Sequence, residues 1–143
     1  MSVIASDRTP NKLVADQAAR DYAEYTIRLC HNNRYFPKSE RWTLGNRIVD
    51  LCVNIVITVR VANAIVANTA EKANSRTEKQ WEVVHYIRSA YAIMDIAYQL
   101  GHIPSEKMTA WVGLCNVMEK KVIGWLNSDT KKYKETFKED FKY

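Results

Sequence analysis

Apolar residues recur along most of this chain at alternating spacings of three and four residues. The first such segment includes Val14, Ala18 and Tyr22, and three further segments have equally regular patterns. This spacing places side chains on one face of an α-helix. We therefore predict four helices, over about residues 12–32, 39–72, 76–100 and 105–127.

Residues that interrupt helices fall between these segments. Pro37 lies in a polar stretch before the second segment, and Ser75 and Glu78 have the spacing of a capping box that would begin the third helix. Gly101, followed by Pro104, predicts the end of the third helix and the start of the fourth.

The apolar steps average 3.5 residues, which is typical of helices packed in a left-handed bundle. With short connections, this predicts an all-α fold, an antiparallel up-down-up-down four-helix bundle within residues 1–128. Residues 129–143 alternate lysine with acidic and aromatic residues. We predict that they form a basic C-terminal tail, either a frayed helix or a disordered segment.

The second and third helices carry more apolar surface than a four-helix core requires. An apolar face left in water usually marks a protein interface, so we predict a homo-oligomer. The predicted interface residues are Val49, Val53, Val56, Tyr86, Ile93 and Leu100. The alternative is a monomer in which the tail or the N-terminal segment covers the second face.

Composition narrows the class of protein. A length of 143 residues predicts one domain, and only 4 glycines and 3 prolines argue against a β-rich fold. The 3 cysteines are widely spaced, which indicates no disulfide framework and fits a reducing compartment. No apolar run is long enough for a membrane span or a signal peptide, so we expect a cytoplasmic protein.

The sequence offers little for catalysis or metal binding. Glu82 precedes His85 by three residues, as in the metal sites of some helix bundles, but the second copy that such a site needs is absent. No glycine-rich phosphate loop is present. We therefore predict a protein that is not an enzyme, with no catalytic residues, no metal and no cofactor. A small enzyme that uses a site in the bundle core is a remote alternative.

The basic residues are more informative. The net charge is +5, and most of the excess falls between Arg28 and Arg47, where aromatic residues such as Trp42 are interleaved. Cations beside stacking planes suit nucleic acid, although a solvated charged face is the other interpretation. The predicted nucleic-acid-binding residues are Arg34, Lys38, Arg41, Arg47, Arg60, Arg76, Lys79, Lys120 and Lys121. Arg41 and Arg47 have an alternative structural role, in which they cap the helix or bridge to Glu40 and Asp50.

The run FPKSERWTLGNRI, residues 36–48, resembles the accessory variability determinant family of diversity-generating retroelements. The segment EKKVIGWL, residues 119–126, is similar to the closing segment of that family but has Lys121 and Ile123 where small residues are expected. The four-helix proteins encoded in intervening sequences of 23S ribosomal RNA share a related start. They continue toward an Asn-Ile-Ala-Glu-Gly segment that this chain lacks.

The resemblance implies a ring-like homopentamer of four-helix subunits with a basic surface. It implies that the protein binds the reverse transcriptase of the element and its template RNA, and possibly DNA, and supports error-prone cDNA synthesis without a catalytic site of its own. It also implies a bacterial, archaeal or phage-encoded protein. An oligomerisation scaffold that binds an acidic protein partner is the main alternative from another class.

Overall fold

The predicted all-α fold is confirmed: four helices pack in an up-down bundle. The structure is a computed structural model, and it describes the backbone of residues 10–143 and the side chains of residues 14–143. Helix α1 spans Pro10–Cys30, α3 spans Ala70–Gln99, and α4 spans Ser105–Phe137. Helix α2 has three parts: Lys38–Glu40, a π-helical turn at Arg41–Gly45, and Asn46–Ala64. A 3-10 turn at Lys138–Asp140 follows α4. Helix α1 packs against α2 and α4, and α3 packs against the same two helices.

The core lies on the predicted apolar faces. A chain of polar contacts crosses it: the Trp111 indole donates to the Thr26 hydroxyl at 2.9 Å, which donates to the Tyr22 carbonyl at 2.7 Å. The Tyr22 hydroxyl in turn donates to the Met94 sulfur at 3.1 Å. The buried donors of Trp111, Thr26 and Tyr22 are therefore each satisfied by a partner within the protein. Phe36 packs edge-on against Trp111, with 6.3 Å between ring centroids.

The junction between α2 and α3 differs from the prediction. Helix α2 ends at Ala64 rather than near residue 72, because Ile65 is extended, with ψ 117°. Helix α3 begins at Ala70 rather than near residue 76, and its N-cap is Thr69, whose hydroxyl accepts the Lys72 backbone N–H at 3.2 Å. Ser75 and Glu78 therefore lie inside α3, and they do not form the capping box that their spacing predicted.

The chain end is also more ordered than predicted. Helix α4 extends to Phe137 instead of ending near residue 127. Beyond it the chain turns back, so that Tyr133 and Phe141 are buried against Ala73 of α3. The Asn74 side chain forms two hydrogen bonds with the backbone of this segment. Its amide nitrogen donates to the Asp140 carbonyl at 3.1 Å, and its amide oxygen accepts the Lys142 backbone N–H at 2.8 Å. Burial of aromatic rings and these hydrogen bonds replace the frayed or disordered tail of the prediction.

None of the helices within residues 10–143 is both long enough and apolar enough to cross a lipid bilayer.

Candidate nucleic-acid interface

The beginning of α2 is an irregular turn built by the sequence motif at residues 36–48. Helix α2 starts directly after Pro37 and widens into the π-helical turn at Arg41–Gly45. Gly45 is buried, and a β-carbon there would lie 3.4 Å from Cγ of Arg41 and 3.7 Å from Cδ1 of Phe36. The aliphatic part of Arg41 therefore lies against the glycine, and π-helical turns of this kind are frequent at functional sites.

A groove of about 650 Å³ opens beside this turn. We call it the α2 groove; its lining residues are Asn33, Pro37, Lys38, Arg41, Trp42 and Asn46. The lining contains two cations, two amides and no carboxylate. The Trp42 side chain is 68% exposed, which is unusual for so large an apolar group. The groove therefore presents positive charge and a free aromatic plane to solvent.

Arg41 is held in this groove by an amide rather than by an acid. One terminal nitrogen of its guanidinium donates to the side-chain oxygen of Asn33. The neighbouring Glu40 does not pair with Arg41, since its carboxylate lies 3.0 Å from Nε2 of His102. The suggested bridge from Arg41 to Glu40 is thus not formed, and the positive charge of Arg41 is not neutralised by Glu40.

The other predicted basic residues fall into three groups. Arg34, Lys38, Arg47, Lys120 and Lys121 are exposed, and none of them forms an ion pair with another residue of the part of the chain whose side chains are described. The suggested bridge from Arg47 to Asp50 is accordingly not formed.

Arg60 and Lys79 are already paired. Arg60 lies 3.0 Å from the Asp16 carboxylate, and Lys79 lies 3.0 Å from that of Glu82. These are surface pairs, which a polyanion can displace at small cost.

Arg76 does not belong to the exposed basic set, which corrects the prediction. Its side chain is 3% exposed, and its guanidinium lies 2.9 Å from the Asp129 carboxylate and over the Trp125 ring. It also donates to the carbonyl oxygens of Ala62 and Ile65, at 3.4 and 3.1 Å. Arg76 therefore satisfies the C-terminal end of α2, where helix carbonyls lack partners.

The predicted interface residues are only partly exposed. Val53 and Leu100 face solvent, whereas Val49, Val56, Tyr86 and Ile93 are half-buried and pack against the core. The exposed apolar stripe of α2 instead runs through Val53, Ile57 and Val61. These residues follow steps of four rather than seven. A heptad pattern does not detect these residues, because residues seven apart in a bundle return to the same flank of the core.

The described side chains include no cluster of three or more His, Cys, Asp or Glu residues that would hold a metal ion. His85 is exposed beside Trp81, away from the core. The three cysteines, Cys30, Cys52 and Cys115, are buried and unpaired. Burial raises the pKa of each thiol to about 12, so these groups are protonated near neutral pH and are poor nucleophiles there.

The fold and the α2 groove define a four-helix bundle protein with an exposed basic and aromatic surface. No protein-family model matches this chain, and no match to it is found among the curated proteins.

Proposed function

We propose that this chain is a non-enzymatic accessory protein of a diversity-generating retroelement, which binds the reverse transcriptase together with template RNA or cDNA. The observation that carries the proposal is the α2 groove. The residues that line it come largely from the run at 36–48, where the chain resembles the accessory variability determinant family. The resemblance and the surface chemistry therefore coincide at one place.

The groove suits a nucleic acid strand for simple chemical reasons. Lys38 and Arg41 supply positive charge for phosphates, and Trp42 offers a plane on which a base can stack. Stacking of one base on an aromatic side chain contributes about 1–3 kcal/mol. The amides of Asn33 and Asn46 can both donate to and accept from base edges. A lining without carboxylates leaves nothing in the groove to repel a phosphate.

The exposed stripe on α2 supports assembly into a homo-oligomer. Val53, Ile57 and Val61 form a row of apolar side chains along the outer face of the helix. Such a row is more stable when covered, and a second copy of the chain is the partner we propose. In a homopentamer every subunit would present its own α2 groove, so the assembly would offer a repeated basic surface. The expected mass is five times 16.6 kDa, measured by light scattering.

The nucleic-acid part of the proposal is tested by measuring RNA affinity at several salt concentrations. We expect the wild-type protein to bind single-stranded RNA with an affinity that falls steeply with salt. The double variant Lys38→Ala with Arg47→Ala removes two exposed cations without touching the core. If both contact phosphates, the slope of log affinity against log salt should become shallower by about 1.4.

A second variant, Trp42→Ala, tests the stacking plane and should weaken binding without changing the salt slope. Arg88→Ala is the matched control, because Arg88 is exposed on α3 and outside the groove. It should lower affinity far less than the Trp42 variant or the double variant of Lys38 and Arg47. RNA binding with an unchanged salt slope in the double variant would refute the assignment of this surface.

The scaffold alternative uses the same groove for the carboxylates of an acidic protein partner. It predicts an oligomer that binds no RNA even at low salt, so an electrophoretic mobility shift assay with RNA separates the two functions. Within the retroelement proposal, a reverse transcriptase gene beside the gene for this chain identifies the polymerase to be tested by co-purification. If the chain is instead a four-helix protein of the 23S ribosomal RNA intervening-sequence type, we expect no neighbouring reverse transcriptase gene and no complex with a reverse transcriptase.

A further inference from the structure

A second groove lies where the chain end meets the first half of α3. We call it the α3 groove; it has a volume of about 530 Å³ and is lined by Glu78, Trp81, Glu82, His85 and Tyr143. The Trp81 and Tyr143 side chains are 37% and 40% exposed. None of these residues takes part in the function proposed above.

The aromatic walls of this groove are held in place by the fold. Trp81 and His85 lie one turn apart on α3, with 6.2 Å between ring centroids. Tyr143 is positioned by the folded-back tail, because its ring packs 5.9 Å from that of the buried Phe141. Phe141 in turn packs edge-on against Tyr133 of α4, at 5.6 Å. A ligand would therefore meet rings that are already positioned, which reduces the entropic cost of binding.

The charge of the groove is negative. Glu82 is paired with Lys79, at 3.0 Å, whereas Glu78 forms no ion pair within the described part of the chain. Burial, together with the charge of Glu78, raises the pKa of Tyr143, which is consistent with a carboxylate close to that ring. The α3 groove thus combines aromatic faces with one free carboxylate.

We propose that the α3 groove binds an arginine side chain from a basic segment of a partner protein. A guanidinium is flat and stacks on aromatic rings, while its N–H groups donate to a carboxylate such as Glu78. Lysine has a compact, strongly hydrated charge and matches flat walls less well. A neutral side chain would gain no charge attraction to the carboxylate of Glu78. The volume is in the range of ordinary ligand pockets and accommodates one side chain with its flanking backbone.

The test titrates the full chain with a blocked tripeptide, acetyl-Gly-Arg-Gly-amide, and follows the indole N–H signals of the 4 tryptophans by NMR. We expect the Trp81 signal to shift and saturate, while the Trp42 signal stays in place. The citrulline tripeptide has nearly the same shape without the charge, and it should bind about ten-fold more weakly. The lysine tripeptide should also bind more weakly than the arginine tripeptide.

Two variants locate the binding. Glu78→Gln and Tyr143→Ala should each weaken binding of the arginine tripeptide by about two- to five-fold, because one removes the counter-charge and the other removes an aromatic wall. Glu71→Gln is the matched control, since Glu71 is an exposed carboxylate of α3 outside the groove, and it should have no effect. Circular dichroism checks that all variants fold.

The proposal is overturned if the citrulline or lysine tripeptide binds as tightly as the arginine one, or if neither groove variant weakens binding. It is also overturned if Trp81 does not respond, as when a second copy of the chain already covers the groove. RNA binding through the α2 groove is measured in a separate assay. The proposal for the α3 groove and the proposed function are therefore tested independently.

Discussion

The buried ion pair between Arg76 and Asp129 gives the sharpest test of the structure. Asp129→Ala would remove the carboxylate that lies 2.9 Å from the guanidinium, and it would also remove the acceptor of the Gln80 amide. Arg76 would keep its carbonyl partners at the end of α2 but lose its counter-charge. The perturbation therefore leaves a positive charge in a place with little access to water.

The expected cost follows from burial. The side chains of Arg76 and Asp129 are 3% and 15% exposed. Loss of one partner from a buried ion pair destabilises a protein by about 3–5 kcal/mol, because the remaining charge is neither solvated nor paired. The double variant Arg76→Met with Asp129→Leu should lose less than the sum of the two single variants by about 2 kcal/mol, since no unpaired charge remains.

The assay is urea unfolding followed by circular dichroism at one fixed protein concentration. The matched control is Arg60→Ala, which removes an ion pair with Asp16 on the surface, where the Arg60 side chain is 59% exposed. It should cost less than about 1 kcal/mol. If Asp129→Ala costs no more than this control, the pair is not buried in the way described, and the reasoning is refuted.

Three further predictions concern the chain end, the exposed stripe and the cysteines. Phe141→Ala should lower the free energy of unfolding by about 3 kcal/mol in urea, because the ring is buried against α3 and α4, and an unchanged value would mean that the tail does not pack. Ile57→Glu should leave the subunit folded, since the side chain is 52% exposed, but should reduce the mass from light scattering toward 16.6 kDa; a wild-type protein already at that mass would exclude the oligomer. The raised pKa of Cys30, Cys52 and Cys115, about 12 against an ordinary value near 9, means that the unfolded chain loses these protons first. Their contribution to stability is therefore complete below about pH 9 and falls as pH rises toward 12. Alkaline unfolding of the wild type and of a Cys52→Ala variant measures this loss, which should be smaller in the variant.

The candidate site was partly predictable from sequence. The concentration of basic and aromatic residues after Pro37 indicated a polyanion surface, and the structure places Lys38, Arg41 and Trp42 in one groove. Arg47 and the lysines at 120 and 121 are exposed but do not line that groove. Sequence spacing identifies residues that lie near one another along a helix. It does not predict the α2 groove, because this groove lies between a loop and a widened helical turn.

The α3 groove and the role of Arg76 were not predictable in this way. Arg76 has the same basic side chain as the exposed residues, and its partner Asp129 is 53 positions away. Trp81 and Tyr143 line the same groove because the tail turns back, which depends on the burial of Phe141. Such contacts have no local pattern, because they arise from how the helices pack.

The number of helices, their apolar faces and the all-α fold follow from the residue pattern alone. Three-and-four spacing is a property of each helix alone, so residues such as Ile48 and Trp111 are buried as expected. The end of α2, the burial of Arg76 and the order of the tail are set by tertiary contacts. Each of these features depends on whether a residue far away in the sequence supplies a hydrogen bond, a counter-charge or an apolar surface. The local spacing of residues in the sequence carries no information about such distant partners.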